Sequence, residues 1–204
     1  GLGKPYGSLS QMATIRLGKR TEGRSPLIKD FVPITPLDDL VFGAWDPVPD
    51  DAYQSCLHCG VFDKHEHVFP IRDFLETIKP MPAVFDQNYV KRLEGINVKQ
   101  GANKRELAEQ LRQDIRDFKA KHQLDRCVMV WCASTEAYIQ PGPQHATLAA
   151  FEAAMASNDD AIAPSMLYAW AAIMEGVPYC NGAPNLAVDT PALLQLAIDK
   201  GVPV

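Results

Sequence analysis

Leu40-Val41-Phe42-Gly43-Ala44-Trp45-Asp46-Pro47 is the stretch on which the fold turns. Six uncharged residues run into an acid and a proline, with Asp38-Asp39 in front. A short apolar run between turn signals reads as a strand buried on both faces, as in parallel sheets. Pro47 and Pro49 stop it. Further along, Cys127-Val128-Met129-Val130-Trp131-Cys132-Ala133 has the same character, and Val177 to Cys180 is a third short run. Between the second and third, helices are expected over about 145–156 and 165–175. Buried runs alternating with helices predict βαβ units and a mostly parallel α/β sheet. Ligands in such sheets lie beyond the carboxyl ends of strands. That singles out Asp46, the turn after residue 133, and Asn181 to Asn185.

The remaining elements follow from local chemistry. Ala13, Ile15 and Leu17 alternate with Thr14 and Arg16, a half-buried strand pattern. Residues 51–61 and 71–79 are expected to be short helices, and Ala83-Val84-Phe85 an extended piece behind Pro80 and Pro82. Asn103 is placed to cap a helix, with Glu106 three residues on. Leu107, Leu111, Ile115 and Phe118 then form one apolar stripe. Arg105/Glu109 and Asp117/Lys121 are spaced as i,i+4 ion pairs on the outer face. Thr190 or Asp189 should start a last helix, Pro191 to Lys200, which Gly201 ends.

Composition excludes several classes. With 47% apolar and 22% charged residues over 204 positions, the chain is neither disordered nor a disulfide scaffold. The net charge of −5 argues against nucleic acid or an anionic membrane as partner. The longest apolar run, Met166 to Met174, is far too short to cross a bilayer. An odd cysteine count and the lack of an Asn-x-Ser/Thr sequon point to the reducing cytoplasm. Because residue 1 is Gly, the chain is expected to be a piece of a longer one.

Four constellations carry possible chemistry. Asp46, at the end of a buried strand, is placed like the acid that accepts ribose hydroxyls in dinucleotide folds; the plain alternative is a turn aspartate before proline. Gly1-x-Gly3-x-x-x-Gly7 has no strand before it and is read as a loop rather than a phosphate cradle. Cys56-x-x-Cys59 with His58, His65 and His67 invites zinc. The Cys59–His65 gap is too short for a conventional finger, and Cys56 reads as a buried thiol on a helix, so no metal is expected. Cys132 is likewise read as a buried thiol at a strand end. Asn181-Gly182-Ala183-Pro184-Asn185 has the small residues of a loop that could present backbone N–H groups to a pyrophosphate or ribose, or of a plain turn.

Five ordered segments resemble the myo-inositol-phosphate synthases, and among them the bacterial branch. These are Ser8 to Gly18, the Asp39 to Asp46 strand ending "AWD", the Asp114 to Lys119 "DIRDFK" helix, the Val130 to Glu136 turn, and Ile162 to Ser165 with Glu175 to Pro184. The resemblance implies that residues 1–204 are a Rossmann-type NAD-binding domain, a mostly parallel sheet with flanking helices, lacking the first strand and the catalytic α+β domain. The first strand and glycine-rich loop are then expected upstream of Gly1, and the catalytic lysines beyond Val204, so no catalytic residue is named.

The family is implied to convert D-glucose 6-phosphate to 1L-myo-inositol 1-phosphate, with NAD reduced and reoxidised in one turnover around an aldol ring closure. It is implied to work as a homo-tetramer. Carried onto this sequence, Asp46 falls on the ribose acid and Ala83 and Val84 on the adenine end. Cys132, Ala133, Ser134 and Thr135 fall on the turn along the cofactor, and Gly182 and Ala183 on the Gly-Ser pair beside it. Cys132, Ser134 and Ala183 stand where the family commonly has Thr, Asn and Ser, so backbone rather than side-chain contacts are expected there. The rival functions are an NAD-binding regulatory domain without catalysis and a zinc-dependent interaction domain.

Overall fold

Asn103 opens the longest helix as expected: its Oδ1 accepts the Glu106 amide at 2.9 Å. In this computed structural model, which describes residues 12–204, that helix is Lys104–His122. The other helices are α1 Ala52–Cys59, α2 Arg72–Leu75, α4 Leu148–Ala156, α5 Pro164–Met174 and α6 Pro191–Lys200, with Lys104–His122 as α3. Asp51, Thr147 and Thr190 supply the side-chain caps of α1, α4 and α6, and Gly201 ends α6 at φ +64°. The Gly1–Gly7 loop lies outside the described residues.

The chain forms two units, Gly1–Phe42 and Gly43–Val204. In the first, the alternating residues form one arm of an antiparallel turn. The Ile15 amide donates to the Pro26 carbonyl and that of Leu17 to Arg24, each at 2.9 Å. Ile15 and Leu17 themselves are exposed.

The second unit holds four strands in two parallel pairs. β1 Trp45–Asp46 pairs with β2 Met81–Pro82, and β3 Met129–Trp131 pairs with β4 Tyr179–Asn181. No ladder joins the pairs among the described residues. Tyr168 of α5 lies against both instead: its ring centroid is 5.5 Å from that of Trp45 and 5.1 Å from that of Trp131. Its hydroxyl accepts the Val84 amide at 2.9 Å.

The core is a helical layer around α5. Every α5 residue from Pro164 to Ile173 is buried, as a helix apolar all round must be. Leu111 and Ile115 of α3 and Leu193 and Leu196 of α6 close over it. The expected α3 stripe therefore does face the core, with Leu107 and Phe118 half-buried at its ends.

Several expectations need correction. Residues 40–44 are not strand, and Leu40, Val41 and Phe42 are exposed; of that run only Ala44 pairs, accepting the Met81 amide at 2.8 Å. An apolar run becomes a buried strand only where another strand meets it, and none of the described residues does. The 127–133 strand shrinks to three residues and is open on one face, with Val128 67% and Val130 57% exposed while Met129 is buried. Cys132 is exposed rather than buried. The 71–79 helix is one turn, Arg72–Leu75, preceded by a π-helical turn at Lys64–Val68. Arg105 and Glu109 do pair, at 3.1 Å, but Asp117 accepts from Gln113 instead of pairing with Lys121.

Candidate functional site

Three strand ends carry the singled-out residues. At the end of β1, Asp46 is exposed, and its Oδ1 accepts the Val48 amide at 2.8 Å. Oδ2 makes no hydrogen bond with another described residue and remains an acceptor for a ligand hydroxyl. The backbone around it is held from several sides. Asn97 Nδ2 donates to the Asp46 carbonyl at 2.9 Å, and the amides of Ile96 and Asn97 both donate to the Pro47 carbonyl. One residue earlier, the Trp45 indole donates to Asp114 Oδ2 at 2.7 Å, and the Lys99 ammonium pairs with that same oxygen at 2.8 Å. Asp114 opens the "DIRDFK" segment, so that motif serves here to anchor the strand that presents Asp46.

Ala83 and Val84 are buried behind β2. The Ala83 amide and carbonyl bond to residues 97 and 99, and the Val84 amide is spent on Tyr168.

At the end of β3, Cys132, Ala133, Ser134 and Thr135 are all exposed. The amides of Ala133, Ser134 and Thr135 donate to no other described residue. An exposed turn of free amides suits an anion or sugar hydroxyls. Beside it the loop after β4 is tied down: Gly182 N–H donates to the Trp131 carbonyl at 2.8 Å, and Ala183 N–H to Asn181 Oδ1 at 3.1 Å. Those two amides are consumed internally, which leaves the amides of 133–135 as the open donors of the two turns among the described residues. Gly182 is needed for close approach, since a Cβ there would lie 2.9 Å from the Trp131 carbonyl oxygen.

Asn185 lies in the loop singled out from sequence, but Glu136 and Ser165 were not read as site residues. Glu136 follows the exposed turn directly and is only 5% exposed. Its Oε1 accepts the Ser165 amide at 3.0 Å, and its Oε2 accepts the Ser165 hydroxyl at 2.5 Å and the Asn185 amide nitrogen at 3.3 Å. Burial pushes the Glu136 carboxyl up, and the Ser165 hydrogen bonds work against that. A signal existed in the sequence: an acid closing a turn, and a serine at the second position of a helix that lacks a capping side chain.

A groove of about 580 Å³ runs along β4 past Tyr179, Cys180, Asn181 and Ala183. Among its described lining residues Asp189 has the one charged side chain, and none of them is a cation. Among the described residues no group of three His, Cys, Asp or Glu side chains could hold a metal, and no helix is long and apolar enough to cross a membrane. His58 Nδ1 bonds to Asp50 at 2.7 Å.

Residues 3–204 match a family model described as myo-inositol-1-phosphate synthase, an NAD-binding family. The chain belongs to the myo-inositol-1-phosphate synthase family. It is 50% identical to inositol-3-phosphate synthase 1 of Bacteroides thetaiotaomicron over 205 residues, covering all of this chain and 47% of that protein. Against inositol-3-phosphate synthase 1 of Oryza sativa the identity is 34%, over 96% of this chain and 39% of the other. The crystal structure of inositol-3-phosphate synthase from Caenorhabditis elegans superposes with a TM-score of 0.86 at 32% identity, covering 96% of this chain and 39% of that one. The chain thus spans less than half the length of these relatives, and within them it matches a Rossmann-like, parallel-stranded NAD-binding region.

Proposed function

We propose that the full-length protein carrying this chain is an inositol-phosphate synthase that converts D-glucose 6-phosphate to 1L-myo-inositol 1-phosphate, and that this chain supplies part of its NAD site. The observation that carries the reading is the exposed Asp46 carboxylate at the carboxyl end of β1, with one oxygen unspent among the described residues, in a chain of this family. Asp46 would accept the adenosine ribose hydroxyls, a charge-assisted bond. The free amides of Ala133, Ser134 and Thr135 would face the cofactor, and Gly182 would let the neighbouring loop pass close to β3. Ala83 and Val84 would form the apolar wall at the adenine end. When bound, NAD would take hydride from the sugar and return it within the same turnover, so no net oxidant is used. Tetramer formation and a cytoplasmic setting belong to the same proposal.

The test uses the full-length protein with glucose 6-phosphate and NAD. Inositol phosphate should appear without accumulation of NADH, and its absence by NMR refutes the synthase reading. Tight NAD binding without product would leave the regulatory alternative. Asp46→Ala should weaken NAD binding by roughly 10- to 150-fold, the value of about 1.5–3 kcal/mol for a charged hydrogen bond. An unchanged dissociation constant returns Asp46 to the role of a turn residue.

A further inference from the structure

The turn after β3 and the loop after β4 come from distant parts of the sequence, yet both are tied to one buried group. Glu136 is the residue next to Thr135, and its carboxylate takes three hydrogen bonds at the start of α5 and from Asn185. Helix α5 begins with Ala163 and Pro164 and has no side-chain cap of its own. Glu136 does that work from outside, accepting the second-position amide at the positive end of the helix. Asn185 Nδ2 donates both to Glu136 and, at 3.0 Å, to the Ser165 hydroxyl. Asn185 in turn accepts Asn181 Nδ2 on its backbone carbonyl at 3.1 Å, which shapes the loop containing Gly182 and Ala183.

The chemistry at position 136 is demanding. Every bond to Glu136 is one it accepts, from an N–H, an O–H and an NH2. The Asn185 amide orientation follows: turning it over would set its carbonyl against the carboxylate. Asn185 Oδ1 is left buried without a partner among the described residues, a cost borne so that the NH2 can reach Glu136. Because α5 is buried along almost its whole length, this anchor refers both turns to an element of the core.

We propose that Glu136 is a positioning residue for the cofactor: through Ser165 and Asn185 it holds the turns 132–135 and 181–185 at the spacing that receives NAD. This rests on the NAD reading above. A glutamine at 136 keeps the shape but replaces one accepting oxygen with an NH2, so at least one of the three donors on Ser165 and Asn185 loses its acceptor and the tie between the turns is weakened.

The experiment measures the NAD dissociation constant and the melting temperature of the full-length protein and three variants. Glu136→Gln should raise the dissociation constant about tenfold. Ser165→Ala, which keeps the amide bond and loses the hydroxyl, should raise it about threefold. Leu196→Ala removes a buried core side chain from α6, outside both turns in sequence and without a hydrogen bond to either. It should lower the melting temperature at least as much and leave the dissociation constant within twofold. If the unmodified protein does not bind NAD, the reading of the site fails rather than this inference. If it does bind, a Glu136→Gln constant within twofold of it overturns the proposal, as does a Leu196→Ala constant raised as far as that of Glu136→Gln. Should Glu136→Gln fail to fold, Ser165→Ala decides by the same twofold limit.

Discussion

The end of β1 and the paired ends of β3 and β4 present their residues by opposite electrostatic means. Beside Asp46, the support is an ion pair: Asp114 holds Lys99 and the Trp45 indole at one oxygen, with the Lys99 side chain 9% exposed. Beside Thr135 and Gly182, the support is a buried carboxylate with no cation, fed only by neutral donors. A charge pair fixes a direction and tolerates some water. A dry carboxylate fixes three positions at once but is costly whenever it ionises without all of its donors. A strand end with a single exposed acid needs only direction, whereas two turns that must stay parallel need the second device.

The comparison breaks first at Asp114. Asp114→Ala strands a nearly buried Lys99 charge and an indole N–H, and should destabilise the protein by about 3–5 kcal/mol. Denaturant unfolding measures it, and a loss below about 1 kcal/mol would mean the pair is merely a surface contact. At the other end, Gly182→Ala pushes a methyl against the Trp131 carbonyl, a backbone atom that cannot yield easily. Overpacking of that kind should cost about 1–3 kcal/mol, read from the unfolding midpoint, and should weaken NAD binding as well.

The smallest effect is a pair of opposed pH slopes. The Glu136 carboxyl is raised by burial, so it binds a proton more readily folded than unfolded. Its contribution is full below the ordinary glutamate value of 4.5 and falls away as pH rises through its higher folded value. At Glu175, burial pushes the carboxyl up, but the hydrogen bonds from Arg116 and Arg112 outweigh it and hold the group below that value. Its contribution is present above 4.5 and disappears as pH falls through the lower folded value. Melting temperatures followed across this window should fall less steeply with rising pH for Glu136→Gln than for the parent. Those of Glu175→Gln should fall less steeply with falling pH. Parallel curves for parent and both variants would remove the contrast.

The helices were legible because their signals are local. Asn103 with Glu106, Thr190 with Pro191, and Gly201 each lie within one turn of what they cap. The strands were not, because burial of an apolar run is decided by what lies beside it. Leu40 to Phe42 and Val128 to Val130 look alike on paper, yet the first pairs with nothing described and the second is half open. Asp46 and the turns at 132–135 and 182–183 were singled out as candidates from strand ends and from the resemblance. Glu136 escaped because its partners, Ser165 and Asn185, lie 29 and 49 residues away, so the acid closing the turn and the uncapped helix start were never read together.

Two of the three tryptophans, Trp45 and Trp131, come just before Asp46 and Cys132 and share Tyr168 as a neighbour; the third, Trp170, is sealed in the core. The molecule therefore carries its own optical reporters, two at the strand ends and one as an internal reference. A ligand seated against Trp45 or Trp131 would change the polarity around that indole and shift its emission, while Trp170 keeps its surroundings. Single Trp→Phe variants at the three positions would then distinguish, by light alone, a ligand settling at the strand ends from a change within the helical layer.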